Sequence, residues 1–308
     1  MIFNSFLPDA ATWLPSIEIV LLKSVVVFAV AALMCLLLRK AAASARHTVW
    51  LLSLVGVLAL PLLSVALPSW EMPFFKSQPQ ATTSLPVATT PTEQPSGAHF
   101  TFAPQKEAPR VAASAFNWTA VVFGVWLCGA TLLGLRLLHG LWQLRGLRQK
   151  STSTHDARLW QVLREAESST RIDLRVSGEQ HVSVPLTWGW RRPVVLLPHS
   201  SLSWSSEQLR SVLWHELSHI RRRDWASQMF AQWVCVLFWF HPLVWLAARR
   251  LQIEAELACD DRVLSLGISP PQYAAHLLEV VKSLGATPST PMSVALFQTS
   301  RKDEEDGV

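Results

Sequence analysis

Apolar positions along the chain fall into two regimes. In the first, they form unbroken runs: Ile17 to Leu38, polar only at Glu18, Lys23 and Ser24 near its start; Val49 to Leu67, closed by Pro68; and Trp118 to Leu138. Each is close to the ~20 residues that a helix needs to cross a bilayer, so three spanning helices are predicted. In the second regime, from Leu141 onward, apolar residues recur periodically. Leu159, Trp160, Leu163 and Ala166 give His155 to Ser168 a helical face, and Ile172 to Val176 reads as a short strand. Val182 to Trp188 and Pro193 to Leu197 are strand-like and separated by Gly189 and two arginines, which predicts a hairpin. Pro185 puts the first of these strands at an edge or a bulge.

Ser205 and Gln208 have capping-box spacing, and Leu209, Val212, Leu213, Leu217 and Ile220 follow at helical intervals, so a helix with one buried face is predicted here. Trp225 to Ala248 is then almost uncharged and long enough for a fourth crossing, but His241-Pro242 breaks it. Proline restricts the residue before it and suits the first turn of a new helix, so Trp225 to Phe240 goes up and Pro242 to Leu264 returns. The rising arm is about 24 Å and the path from Pro242 to Glu256 about 21 Å, which brings Glu256 back near the level where the hairpin began. The pattern does not say whether this hairpin is buried in the domain or dips into the bilayer.

Composition supports the membrane reading: half of the 308 residues are hydrophobic and 16% are charged, below the ~25% usual for soluble domains. Cys35, Cys128, Cys235 and Cys259 sit in or beside apolar runs without paired spacing, so no disulfide framework is implied. The net charge of +5 comes from basic residues clustered at the ends of apolar segments, which membrane topology explains without nucleic acid. Arg39, Lys40 and Arg46 follow the first run, and Arg136, Arg145, Arg148 and Lys150 lie at or beyond the end of the third. The positive-inside rule then puts the N-terminus outside and everything after the third span in the cytoplasm. With basic residues after its apolar stretch and Asp9 and Glu18 before or within its start, the first run does not look like a cleavable signal peptide. Ser69 to Phe116, rich in Pro, Thr, Ser, Gln and Ala, cannot bury a core and reads as a flexible extramembrane loop.

The candidate chemistry lies in HELSH, residues 215 to 219. On a helix His215 and His219, four apart, can reach one metal ion, while Glu216 projects about 100° away, where it can hold a water. This is the HExxH arrangement of a hydrolytic zinc site. Spacing alone leaves the third ligand open between Glu254 and Glu256, which are about 200° apart on a helix.

HELSH followed by FHPLVW and ELACDD, and preceded by RHTVWLLSL and VPLTWGWRRPVVLLP, resembles the integral-membrane metallopeptidases of the BlaR and MecR type, the β-lactam sensor-transducers. The resemblance covers roughly residues 17 to 285 apart from the Pro/Thr loop, and it extends to the gluzincin pattern of HExxH followed by Glu-x-x-x-Asp. It implies His215, His219 and Glu256 as zinc ligands, Glu216 as general base, and Asp260 as a partner that orients an imidazole. Glu216 would take a proton from the attacking water and return it to the leaving amine. Tyr273, His241 and His276 are candidates by type only for stabilising the oxyanion.

The expected architecture is thus a mainly α membrane protein with an α+β zinc peptidase domain containing a small sheet and an apolar helical hairpin. Its predicted parts are two spans with a short cytoplasmic loop (1–67), an extracytoplasmic loop (68–116), a third span (117–139), a cytoplasmic peptidase domain (140–285) and a tail (286–308). The edge strand, at Val184, Pro185 and Leu186, is the expected place for a substrate added as an extra strand, although plain packing would also explain it. Members of the family continue into a further span and an extracellular penicillin-binding domain, whereas this chain ends in RKDEEDGV, so direct β-lactam sensing is not expected. The resemblance implies a regulatory protease of the bacterial inner membrane that cleaves a cytoplasmic repressor, or itself, after an outside signal. A quality-control protease would share the chemistry. A zinc-tied transducer without activity is a third reading, but it would have no need of Glu216.

Overall fold

A computed structural model describes residues 10–66, 118–154, 156–165, 172–178, 182 and 184–283. The predicted loop at 69–116 and tail at 286–308 lie outside the described residues. Three long helices come first in the chain: α1 (Ala10–Leu37), α2 (Ala43–Ala66) and α3 (Trp118–Lys150). All three are long and apolar enough to cross a membrane, over Val20–Lys40, Ala43–Pro61 and Trp118–Lys150. Helix α3 runs well past the predicted end of its apolar run, so one rod connects the membrane segment to the domain beyond it.

Short elements follow: β1 (Thr152–Ser153), α4 (Ala157–Glu165), β2 (Asp173–Val176), β3 (Leu186–Trp188) and β4 (Val194–Leu197). They build a four-stranded mixed sheet in the order β1-β2-β4-β3, with β2 and β4 parallel and both outer pairings antiparallel. The predicted hairpin is present, turning at Gly189, whose φ of 92° favours glycine. Its first strand is shorter than the apolar pattern suggests and starts at Leu186 rather than Val182. Pro185, which has no N–H to donate, ends the ladder there. As predicted, β3 is an edge strand.

The remaining helices are α5 (Ser206–Arg222), α6 (Asp224–Leu237), α7 (Pro242–Ser265) and α8 (Pro270–Ser283). Ser205 caps α5 by accepting from the Gln208 N–H at 3.1 Å. Leu209, Val212, Leu213 and Leu217 bury its apolar face in a core shared with α4, β2, β4 and the far end of α7. Arg223, left-handed at φ 59°, ends α5 and starts α6 in a new direction. Pro242 opens α7 directly after His241, so the chain turns where the His-Pro pair predicts.

The α6–α7 hairpin stands among the spans. A second core joins Phe28 of α1, Trp50, Leu54 and Val57 of α2, and Val234, Val244 and Leu251 of the hairpin. At its tip the Ser24 hydroxyl of α1 lies 2.8 Å from His241 Nε2. Trp126 of α3 donates its indole N–H to Leu237 (3.0 Å), and Trp239 donates back to Trp126 (3.2 Å) over Gly129, which has no side chain to obstruct the ring. The tip therefore packs beside residues inside the apolar stretches of α1 and α3. Trp233, Leu237, Phe240 and Leu246 remain exposed on the hairpin, suited to lipid.

Candidate metal centre

The bend at Arg223 and the return of α7 bring residues of two helices, α5 and α7, to one point. His215 and His219 project from the same face of α5, one turn apart, with their Nε2 atoms 3.2 Å from each other. Glu256 of α7 places Oε2 3.4 Å from one of these atoms and 3.6 Å from the other. Glu254 faces away and pairs with Arg46 of α2 at 2.8 Å. The carboxylate beside the imidazoles is therefore that of Glu256.

The outer ring nitrogens fix the tautomers. His215 Nδ1 is 3.1 Å from Asp260 Oδ1 and 2.9 Å from the Tyr273 hydroxyl, whose own proton goes to the same Asp260 oxygen at 2.8 Å. His219 Nδ1 is 2.9 Å from Asp224 Oδ2, with the Cys259 thiol 3.3 Å away. With both Nδ1–H groups donating to carboxylates, each Nε2 presents a lone pair toward the other and toward Glu256. Three acceptors thus converge with no donor among them.

Such a point attracts positive charge. Burial disfavours an imidazolium at His215, but the Asp260 and Glu256 carboxylates outweigh it and raise its pKa to about 9. At His219 burial likewise acts downward, and Asp224, Cys259 and Glu256 outweigh it and hold the pKa well above 6.5. Burial alone would raise Glu256, yet the two imidazoles hold it far below the usual carboxylate range. A metal ion can supply the same charge. Around a tetrahedral ion with bonds of about 2.0–2.1 Å, ligand atoms lie roughly 3.3–3.4 Å apart, close to the separations found here. His215, His219 and Glu256 form one of the groups able to hold an ion among the described residues; the other, His219, Asp224 and Cys259, uses the far nitrogen of the same imidazole.

Glu216, next to His215 on α5, is 8% exposed and accepts a 2.6 Å hydrogen bond from Thr187 of β3. Between β3, the end of α5, α6 and Glu256 runs a cleft of about 300 Å³, bordered by Leu144 of α3 and by Trp190. Leu186 lines this cleft, while Val184 and Pro185 lie in the segment leading into the strand. The remaining candidates are elsewhere. Tyr273 stands on the outer side of His215, His276 bonds Ser211 (2.8 Å), and His241 is at the hairpin tip. Asp224 and Thr187 have no mark in the sequence pattern as parts of the site. For Asp224 the only sequence signal is an acid directly after three arginines.

A model of the BlaR1 peptidase M56 family matches residues 15–302. Similar proteins include the regulatory protein BlaR1 of Bacillus licheniformis, 27% identical over 144 residues that cover 46% of this chain and 24% of that protein. The methicillin resistance mecR1 protein of Staphylococcus aureus is 21% identical over 154 residues, 49% of this chain and 26% of that one. The regulatory protein BlaR1 of Staphylococcus aureus is 20% identical over 176 residues, 55% and 30% respectively. The chain matches less than a third of the length of these relatives.

Proposed function

The chain belongs to the BlaR1 peptidase M56 family, a family of metallopeptidases, and we propose that it is an integral-membrane zinc endopeptidase whose ion is held by His215, His219 and Glu256. The observation that carries this reading is the convergence of three acceptor atoms, each within 3.2–3.6 Å of the others, beside the carboxylate of Glu216. When bound, zinc supplies Lewis acidity, lowering the pKa of a water and polarising the peptide carbonyl. Glu216 accepts the proton of the attacking water and delivers it to the leaving amine. Thr187 holds Glu216 through Oε2, which leaves Oε1 for that water. Asp260 and Asp224 keep His215 and His219 in the tautomer that presents Nε2.

The substrate lies extended along the free edge of β3, near Val184, Pro185 and Leu186, and is read mainly through its backbone. The N-terminus is outside and the peptidase domain on the cytoplasmic side of a bacterial inner membrane, in keeping with the basic residues after α1 and along the end of α3. Two of the relatives are named regulatory proteins, in keeping with regulated cleavage of a cytoplasmic repressor-like protein, or of the chain itself, after an extracytoplasmic signal. The test is a survey of new cytoplasmic protein N-termini in cells producing the parent chain or Glu216→Gln. A small set that disappears in the variant is expected. Identical N-termini in both would overturn the peptidase reading, and broad, signal-independent loss would make the enzyme a quality-control protease.

A further inference from the structure

Between α2 and α6 lies a second cleft, of about 530 Å³, that opens outward and adjoins the first at Arg223 and Ala226. One end is polar and basic: His47 and Thr48 on the first turns of α2 face Arg222 and Arg223 at the α5–α6 junction. The other end is apolar, formed by Leu51 and Val55 of α2 and Phe230 of α6. On α2 the positions 48, 51 and 55 lie on one stripe, and over these seven residues the helix rises about 10 Å. The candidate span of α2 begins at Ala43, so this stripe descends from the membrane surface into the apolar interior. The cleft thus changes from basic to apolar in the direction in which a membrane does.

The basic end is only partly neutralised by the protein, through Asp224, which lies 3.9 Å from His47. Arg222 donates through Nε to Asp224 at 3.1 Å, whereas Arg223 is exposed and pairs with no carboxylate among the described residues. The Thr48 hydroxyl is exposed and donates to Ser44 of its own helix, so it can still accept, while Ser227 stands 3.4 Å from His47. Arginines and hydroxyls at headgroup depth above an apolar groove complement a phosphodiester carrying acyl chains. The geometry points to a site for one anionic phospholipid, with the headgroup phosphate at Arg223 and Arg222 and an acyl chain along Leu51, Val55 and Phe230. A soluble phosphate would use only the upper half, and the apolar lower half favours the lipid.

Native mass spectrometry of the full chain, released from micelles that mix phosphatidylglycerol and phosphatidylcholine, tests the site. The parent is expected to retain one phosphatidylglycerol in preference to phosphatidylcholine. Arg223→Gln should lower that preference roughly fivefold, the attraction of one arginine near an anionic surface, and Arg223→Lys should restore most of it. Val55→Trp, which fills the apolar end, should displace the lipid with Arg223 intact. Arg191→Gln, an exposed arginine in the β3–β4 turn, should leave retention unchanged. Three results would each overturn the assignment: equal loss in Arg191→Gln, which would mean generic basic charge; full competition by millimolar glycerol phosphate, which would mean a soluble-anion site; and unchanged retention in both Arg223→Gln and Val55→Trp.

Discussion

Two polar clusters lie two residues apart on α7 and meet opposite fates. Glu254 turns toward the spans and finds its cation within the chain, in Arg46 at 2.8 Å. Glu256 turns toward α5 and meets two imidazoles that are themselves held by carboxylates, with no lysine or arginine among its partners in the described residues. The first cluster is closed and ties the hairpin to α2. The second concentrates acceptors around a point and is completed only by a charge from outside, a proton or a metal ion. A carboxylate on a helix thus becomes structural or chemical according to whether the opposing helix brings its own cation.

The sharpest test exchanges the two. Glu256→Ala should lower zinc content about a hundredfold or more and abolish proteolysis, since one of the three proposed ligands is lost, as read by metal analysis of the purified chain. Glu254→Ala should keep its zinc but cost about 3 kcal/mol in stability, because Arg46 is left partly buried with its charge uncompensated and only the Ala41 carbonyl to bond; a lowered Tm reports it. Zinc loss in the second variant and not the first would reverse the comparison.

The carboxylates behind the imidazoles come next. Asp224→Asn and Asp260→Asn should each weaken zinc binding about 10- to 100-fold while leaving the three proposed ligand side chains in place. Competition with a calibrated chelator measures it, and an unchanged affinity would mean that the tautomers are fixed by something else.

Acidity should act in the same direction. In the metal-free chain His215 stays protonated up to about pH 9, against an ordinary 6.5, so the ion must displace that proton. With His219 held protonated as well, zinc affinity should fall by at least tenfold per unit as the pH drops below about 9. In the absence of metal the sign inverts. The raised pKa contributes stability that is full below pH 6.5 and is lost as the pH rises to about 9, so the Tm of the metal-free chain should decline across that window.

The smallest effect is expected at β3. Thr187→Val removes the hydroxyl that holds Glu216 and should reduce kcat roughly 10-fold with zinc content unchanged, the loss of one hydrogen bond to a charged group. Thr187→Ser should recover most of it.

Elements whose signals are local were legible in the sequence. The cap at Ser205 and the apolar period fix α5, His241-Pro242 fixes the hairpin, and Gly189 fixes the β3–β4 turn. The choice between Glu254 and Glu256 was not local, because it depends on Arg46, 208 residues away in sequence. Asp224 escaped notice because only the left-handed residue at 223 turns the chain back so that this side chain meets His219. Thr187 was invisible for a related reason: its role arises where a strand edge crosses a helix, a contact that no periodicity encodes. The expected strand at 182–188 was too long because alternation continued through a proline that the ladder could not.

Helix α3 has a mechanical consequence. Its 33 residues form a rod about 50 Å long, some 20 Å more than the hydrocarbon thickness of a bilayer. The excess is fastened to the sheet: Leu144 and Leu147 pack on Trp188, Val194 and Leu196, and Arg148 grips Asp173 at 2.8 Å. A stiff rod pivoting at the membrane surface moves its far end in proportion to the protruding length, so a tilt of about 5° displaces that end by roughly 2 Å. Leu144 borders the cleft beside β3, and a displacement of that size is comparable to the width of a single hydrogen bond between strands.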